Sequence, residues 1–184
     1  LTALTSGANN TAIGYNAGLL NTTGASNVYV GHNVADATHV DSTANVVMGQ
    51  QAFSGSHTGS ASHENVAIGN LALGAGAMNG VTGAVAIGAS ALTALTSGSG
   101  NVAVGYQSLD AQTDGNNNTA IGYRTLSALN SGGTANVAIG KDAGLSVSGS
   151  SSDYNVLIGT QAGKGGAAAM SGCVAIGNEA MMST

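Results

Sequence analysis

The sequence predicts an all-β chain that forms a parallel β-solenoid of about ten coils, each 17 to 20 residues long. A motif of the type Asn-Val-Ala-Ile-Gly returns ten times, and its closing glycines are 17 to 20 residues apart. Such a fixed period is typical of repeat architectures. A strand with a crossover helix needs about 30 residues, so one period is too short for that unit but fits one solenoid coil. We expect a single domain over residues 1–184.

The first motif position is asparagine in eight of the ten copies, with Ala84 and Cys173 in the other two. Equivalent side chains of stacked coils lie about 4.8 Å apart, which lets their amides hydrogen-bond to one another. The pattern therefore predicts a side-chain amide ladder. Its members are Asn10, Asn27, Asn45, Asn65, Asn101, Asn118, Asn136 and Asn155.

The second and fourth motif positions are β-branched or otherwise apolar, and the third is mostly alanine. Side chains alternate along a strand, so valine and isoleucine share one face and alanine occupies the other. Two apolar faces favour a strand that is covered on both sides. We expect the valines and isoleucines to form a long, thin core. The glycine that follows permits a sharp corner or a close backbone approach.

The second half of each coil carries a small residue three positions after the motif glycine and often a leucine at the fourth. This pattern favours a shorter second strand whose small residues allow close packing across the coil or against another chain. Leu92 with Leu95, and Leu126 with Leu129, are three residues apart, which also suits a helical turn. Both interpretations remain open at the level of the sequence.

Composition narrows the classes of function. The net charge is −5 with three basic residues, so we expect no nucleic-acid binding. No apolar run is long enough to span a bilayer, so we expect no membrane insertion by this segment. The single cysteine excludes an intrachain disulfide. Leu1 to Gly7 repeats the sequence of Leu92 to Gly98, from which we predict that the domain is a segment of a longer fibrous protein.

The histidines and acidic residues suggest no metal or catalytic site. His57, His63 and Glu64 form one group of conceivable ligands, and His39 with Asp41 forms another, but their spacing matches no zinc signature. We interpret them as solvated loop residues. The acidic residues are scattered and no nucleophile has a base beside it in sequence, so we predict no cofactor, no metal and no enzymatic activity.

The residue directly after each motif glycine varies in type and is expected to face solvent. Tyr106 and Tyr123 occupy this position in successive coils, with Arg124 beside them, and Tyr15 and His32 occupy it in the first two coils. Stacked rings there can cover a coil edge and add stability. They can also form a flat aromatic platform for a sugar or a protein surface. These five residues are the candidate surface-recognition residues.

The motif Asn-Val-Ala-Ile-Gly followed by two residues and alanine resembles the head repeats of YadA-like trimeric autotransporter adhesins. The segments Asn118 to Tyr123 and Gly105 to Leu109 are similar to repeats of phage tail-fibre proteins. The resemblance implies a left-handed parallel β-roll and a side-by-side homotrimer. It also implies an extracellular fibre, on a virion or a bacterial surface, that spaces and contributes host contact through a cell-surface glycan or protein.

An ice-binding solenoid is the alternative function, because low charge and many small residues and threonines are typical of that class. An ice-binding face is expected to carry a regular column of threonine. In this sequence only two motif positions carry threonine, Thr11 and Thr119. The fibre interpretation is therefore preferred.

Overall fold

The computed structural model describes residues 3–37, 41–56, 59–74, 77–165 and 169–182, and it confirms the predicted parallel β-solenoid. Ten strands of three residues form one parallel sheet, and each strand pairs with the next strand along the chain. Within these ranges there is no α-helix, and hence none long and apolar enough to cross a membrane. The strands are β1 (Thr11–Ile13), β2 (Val28–Val30), β3 (Val46–Met48), β4 (Val66–Ile68), β5 (Val85–Ile87), β6 (Val102–Val104), β7 (Thr119–Ile121), β8 (Val137–Ile139), β9 (Val156–Ile158) and β10 (Val174–Ile176).

The strands pair without a register shift, so each motif position forms a column along the solenoid. Val66 pairs with Val85, and Ala67 pairs with Ala86. The same correspondence runs from β1 to β10. Nine steps of about 4.8 Å make the sheet about 43 Å long.

The third motif position lines the interior of the coils. Every residue of this column from Tyr29 to Leu157 is completely buried, and Ala175 is almost so. The second and fourth positions point outward and are half-buried or exposed. Ile139, near the middle of the stack, is 37% exposed, and Ile176 at one end is 67% exposed. The prediction that valine and isoleucine form the core was therefore wrong, and one chain does not cover both faces of its strands.

The interior is narrow because a second column of small residues faces the strand. The residues three positions after the motif glycine are buried from Ala17 to Ala162. Ser108, a member of this column, donates a hydrogen bond across the interior to the carbonyl of Ala120 at 3.0 Å. Two walls this close leave room for alanine and serine but not for a column of β-branched side chains.

Larger side chains fill the wider part of the coil, four and seven positions after the glycine. Phe53, Leu73, Leu92, Leu109 and Leu126 occupy the first of these columns and are buried. Where the strand carries Leu157 instead of alanine, the facing residues are Gly144 and Gly163. A Cβ atom on either glycine would lie within 3 Å of a Leu157 methyl carbon. Side-chain volumes therefore compensate one another across the coil.

The second half of each coil consists of turns rather than a second strand. The N–H of Leu95 donates to the carbonyl of Leu92 at 3.2 Å, which closes a turn over the predicted three-residue spacing. The turn is not helical, because Leu92 has a φ of 50°. Besides the ten strands, the described ranges contain only isolated bridge residues. They are Met78 and the linked residues Thr43, His63, Thr82 and Ser99 of successive coils. The expected second strand is therefore absent from these ranges.

The motif glycines are required both by backbone conformation and by space. Gly69 has a φ of 135°, and a Cβ atom on it would lie 2.6 Å from the carbonyl oxygen of Gly88 in the next coil. Gly140 has a φ of 128°, and a Cβ atom on it would likewise lie 2.6 Å from the carbonyl oxygen of Gly159. Any side chain would push neighbouring coils apart at this corner.

The asparagine side chains form two ladders of four residues. The amide nitrogen of Asn118 donates to Oδ1 of Asn101 at 3.1 Å and to the carbonyl of Gly133 at 2.8 Å. Its Oδ1 accepts hydrogen bonds from the backbone N–H and the amide of Asn136. Ala84 interrupts the column. Its backbone N–H donates to Oδ1 of Asn65, but it has no side-chain amide that could bond to Asn101.

Replacing Ala84 with asparagine is expected to join the two ladders. The new amide is placed to bond with Asn65 on one side and Asn101 on the other, so we expect Ala84→Asn to raise the free energy of unfolding by about 1 kcal/mol. Asn118→Ala, the reverse change within a complete ladder, should lower it by about 3 kcal/mol because several buried partners lose their bonds. Urea unfolding followed by circular dichroism at one fixed protein concentration measures both. A destabilised Ala84→Asn variant would contradict this role of the ladder.

Gln112 is a buried polar residue between two leucines of its column. Leu95 and Leu129 occupy the same place, seven positions after the motif glycine, in the coils on either side, and all three side chains are fully buried. Neither amide atom of Gln112 has a hydrogen-bond partner among the described residues. A buried amide without partners costs about 1 to 3 kcal/mol.

Gln112→Leu is therefore expected to stabilise the protein by about 1 to 2 kcal/mol, which the midpoint of thermal or urea unfolding measures. The matched control is Leu129→Gln, which places the same amide in the next coil and should destabilise by a similar amount or more. If Gln112→Leu lowered stability, the glutamine would have to be satisfied by a group outside this chain.

Candidate surface-recognition site

The residues that follow the motif glycines form an exposed column along one edge of the sheet. Nine of its ten members are exposed, and Ala89 is half-buried. The residue that follows a column member donates its backbone N–H to the carbonyl of the column member in the preceding coil. For example, the N–H of Arg124 donates to the carbonyl of Tyr106 at 2.9 Å. These bonds keep consecutive members of the column one coil apart, so that their side chains lie side by side.

Two aromatic pairs form in this column. The rings of Tyr106 and Tyr123 have centroids 5.5 Å apart and planes inclined by 14°. The rings of Tyr15 and His32 are also 5.5 Å apart, with an angle of 20°. Stacked along the solenoid, each pair presents ring edges and hydroxyl or imidazole groups to solvent, and leaves ring faces open only at its ends.

An aspartate lies near each aromatic pair, five positions after a motif glycine. Asp36 is close enough to His32 for charge interaction, and Asp110 is close enough to Arg124. Burial raises the pKa of both carboxyl groups above the ordinary value. Hydrogen bonding by nearby backbone N–H groups and the charge interaction with His32 or Arg124 oppose this shift. Oδ1 of Asp110 is buried and has no hydrogen-bond partner in the part of the chain that is described.

The sequence analysis identified the aromatic residues and Arg124 but not the two aspartates. The available signal was their equivalent position, since both follow a motif glycine by five residues and both lie in coils that contribute a ring to a pair. What the sequence could not provide is the fold of the turn, which brings this position back beside the aromatic column.

The conceivable metal ligands are not gathered into a site in the described ranges. Nδ1 of His63 lies 2.8 Å from Oγ1 of Thr43, one coil away, and Glu64 is exposed. No group of three histidine, cysteine, aspartate or glutamate side chains within these ranges could hold a metal ion. His39 and His57 lie outside the described residues. Cys173 is half-buried, and its N–H donates to Oδ1 of Asn155 as a ladder asparagine does.

A larger surface feature is the outer face of the sheet itself. Two columns, about 6.6 Å apart and about 43 Å long, contain 20 residues, of which Thr11 and Thr119 are the only polar ones. No charged residue interrupts them. We call this surface the valine–isoleucine face. Monomeric proteins rarely expose a contiguous apolar surface of several hundred Å², and such surfaces usually mark an interaction site.

Comparison with known proteins gave no matching protein family, and neither the curated proteins nor the solved structures include a match.

Proposed function

We propose that the chain is a structural and adhesive fibre segment whose copies associate through the valine–isoleucine face, most simply as a side-by-side homotrimer. The observation that carries the proposal is the inverted placement of apolar side chains. Alanine fills the coil interior, whereas the larger β-branched side chains point out of it in an uninterrupted stripe. Burying one such side chain is worth about 1.5 to 3 kcal/mol, so covering this stripe supplies a large driving force for association.

The shape of the chain supports a spacing role. Parallel coils in constant register make a regular stack, and the backbone bonds between coils recur outside the strands as well as within them. Such a stack is stabilised mainly by contacts between neighbouring coils, so it can be lengthened by adding coils. An extracellular fibre on a phage tail or a bacterial surface requires these properties, and the motif resemblance points to the same class.

The adhesive part of the proposal rests on the exposed column beside the sheet. It carries the aromatic pairs outside the valine–isoleucine face, beyond the glycine corner, where association of the chains leaves them accessible. Repetition of one weak site over several chains increases the overall affinity for a surface that displays many receptors.

Ice binding is the second candidate, because the valine–isoleucine face is flat, regularly spaced and uncharged. The identity of its side chains favours association between chains instead: 18 of its 20 positions are apolar. A thermal-hysteresis assay separates the two functions. Hysteresis together with a monomeric mass would replace the fibre proposal by the ice-binding one.

The association is tested by the absolute mass in solution, measured by light scattering at several concentrations. We expect about 52.5 kDa, which is three times the chain mass of 17.5 kDa. Ile139→Asp places a charge in the middle of the valine–isoleucine face and should shift the mass toward 17.5 kDa, because an unpaired buried carboxylate costs several kcal/mol.

The matched control is Thr160→Asp, which adds the same charge in the exposed column and should leave the mass unchanged. Circular dichroism shows whether each variant remains folded. A wild-type mass of 17.5 kDa at all concentrations, or equal masses for wild type and a folded Ile139→Asp variant, would contradict the proposal.

A further inference from the structure

One aromatic pair lies within a cluster of charged side chains. Tyr106 and Tyr123 are flanked by Arg124 and by Lys141, which follows Tyr123 in the same exposed column, and Asp110 lies near Arg124. We call these five residues the tyrosine–arginine patch. It contains two of the three basic residues of a chain whose net charge is −5. This local concentration of positive charge distinguishes it from the rest of the surface.

The open end of the aromatic pair is next to Ala89. This alanine precedes Tyr106 in the exposed column, and a methyl group cannot cover a phenol ring. The next side chain in the same direction is Asn70, two coils from Tyr106, or about 9.6 Å away. The space above Ala89 is therefore a notch between one face of Tyr106 and the side chain of Asn70, whose amide nitrogen donates to the carbonyl of Gln50 at 3.2 Å.

The groups around the notch match the chemistry of a sugar. The face of a pyranose ring that carries its C–H groups is flat and apolar, so it packs on the face of an aromatic ring. The guanidinium of Arg124 pairs with a carboxylate through two parallel hydrogen bonds.

The charge balance favours an acidic sugar over a neutral one. The coils that carry the patch contain two further acidic residues, Asp114 and Asp142. Asp142 is 6% exposed, and Asp114 lies in the return turn, where its Oδ1 accepts a hydrogen bond from the N–H of Gly132. The charged groups directly beside the rings are Arg124 and Lys141 of the exposed edge. The second aromatic pair, Tyr15 with His32, has neither arginine nor lysine in its own or the following coil. The two pairs share their stacking geometry and differ in charge.

We propose that the tyrosine–arginine patch, together with the notch above Ala89, binds an acidic oligosaccharide whose pyranose rings carry carboxylate groups. This inference rests on the proposed adhesive function but not on the number of associated chains. A ring stacks on Tyr106 in the notch, and the carboxylate of a neighbouring sugar pairs with Arg124. The length from Ala89 to Lys141 is three coil spacings, about 14 Å, which suits a short oligosaccharide.

Titration calorimetry with trigalacturonate and with sialyllactose tests the inference, and fully methyl-esterified trigalacturonate is the matched neutral ligand. We expect at least one of the two acidic sugars to bind with a millimolar or lower Kd. The esterified sugar should bind about tenfold more weakly. Binding should also weaken as salt is added, since exposed charges are screened.

Variants assign the binding to the patch. Tyr106→Ala and Arg124→Gln should each weaken the binding of the acidic sugar about tenfold. Arg124→Gln should leave the weak binding of the esterified sugar unchanged. Tyr15→Ala removes an equally stacked exposed tyrosine at the other pair and should have no effect.

The inference is overturned if neither acidic sugar binds at about 10 mM, if the esterified sugar binds equally well, or if Tyr15→Ala is as harmful as Tyr106→Ala. The solution mass of each variant is measured in parallel. A retained 52.5 kDa mass without sugar binding overturns this inference alone, whereas a mass of 17.5 kDa bears on the fibre proposal.

Discussion

Each coil of this solenoid lies directly on the next one, backbone against backbone, and at the glycine corner the approach is so close that no Cβ atom can be accommodated. The contact between Gly140 and Gly159 is one of a series that runs almost the whole length of the stack. Strand pairing and the hydrogen bonds of the turns depend on the same spacing of about 4.8 Å. The asparagine amides and the aromatic rings stack because the backbone of each coil is itself stacked in register on the next.

This spacing also determines what the inside of a coil can contain. Three-residue strands and tight turns enclose a narrow interior, where most of the facing residues are alanine and the wider end holds most of the leucines. Larger side chains appear at the narrow end when the opposite residue is reduced to glycine, as for Leu157. The apolar surface that one chain cannot enclose is on its outer face. The same constraint that makes the stack regular therefore leaves the outer face of a single chain uncovered, and this is the physical basis for the proposed association.

Much of the fold could be predicted from the sequence, because the stacking constraint is visible as a period. The motif glycines fixed the number of coils and their register, and the asparagine column indicated which side chains would meet. The orientation of the strands could not be predicted, since both of their faces are apolar and alternation alone does not say which is inside. The narrowness of the coil decides which face is inside. It arises from turns in which residues such as Leu92 adopt a positive φ, and no local sequence pattern predicts this conformation.

The candidate site was predictable to a similar degree. The spacing of Tyr106 and Tyr123 sufficed to place the two rings in contact, because a constant position in the coil means a constant position in space. Asp110 lies in the following turn, and its proximity to Arg124 depends on how that turn folds back. The notch above Ala89 was also not evident, because it is defined by the absence of a large side chain.

The central claim is that the valine–isoleucine face is buried between copies of the chain. Isotope-filtered NMR on assemblies refolded from a mixture of ¹³C-labelled and unlabelled chains tests it directly. We expect nuclear Overhauser effects between the methyl groups of residues such as Val102 or Ile139 in one chain and protons of another chain. The methyl group of Ala103, which points into the coil, should show only contacts within its own chain. If the valine and isoleucine methyl groups gave no contacts between chains and remained accessible to a soluble paramagnetic probe, the claim would be wrong.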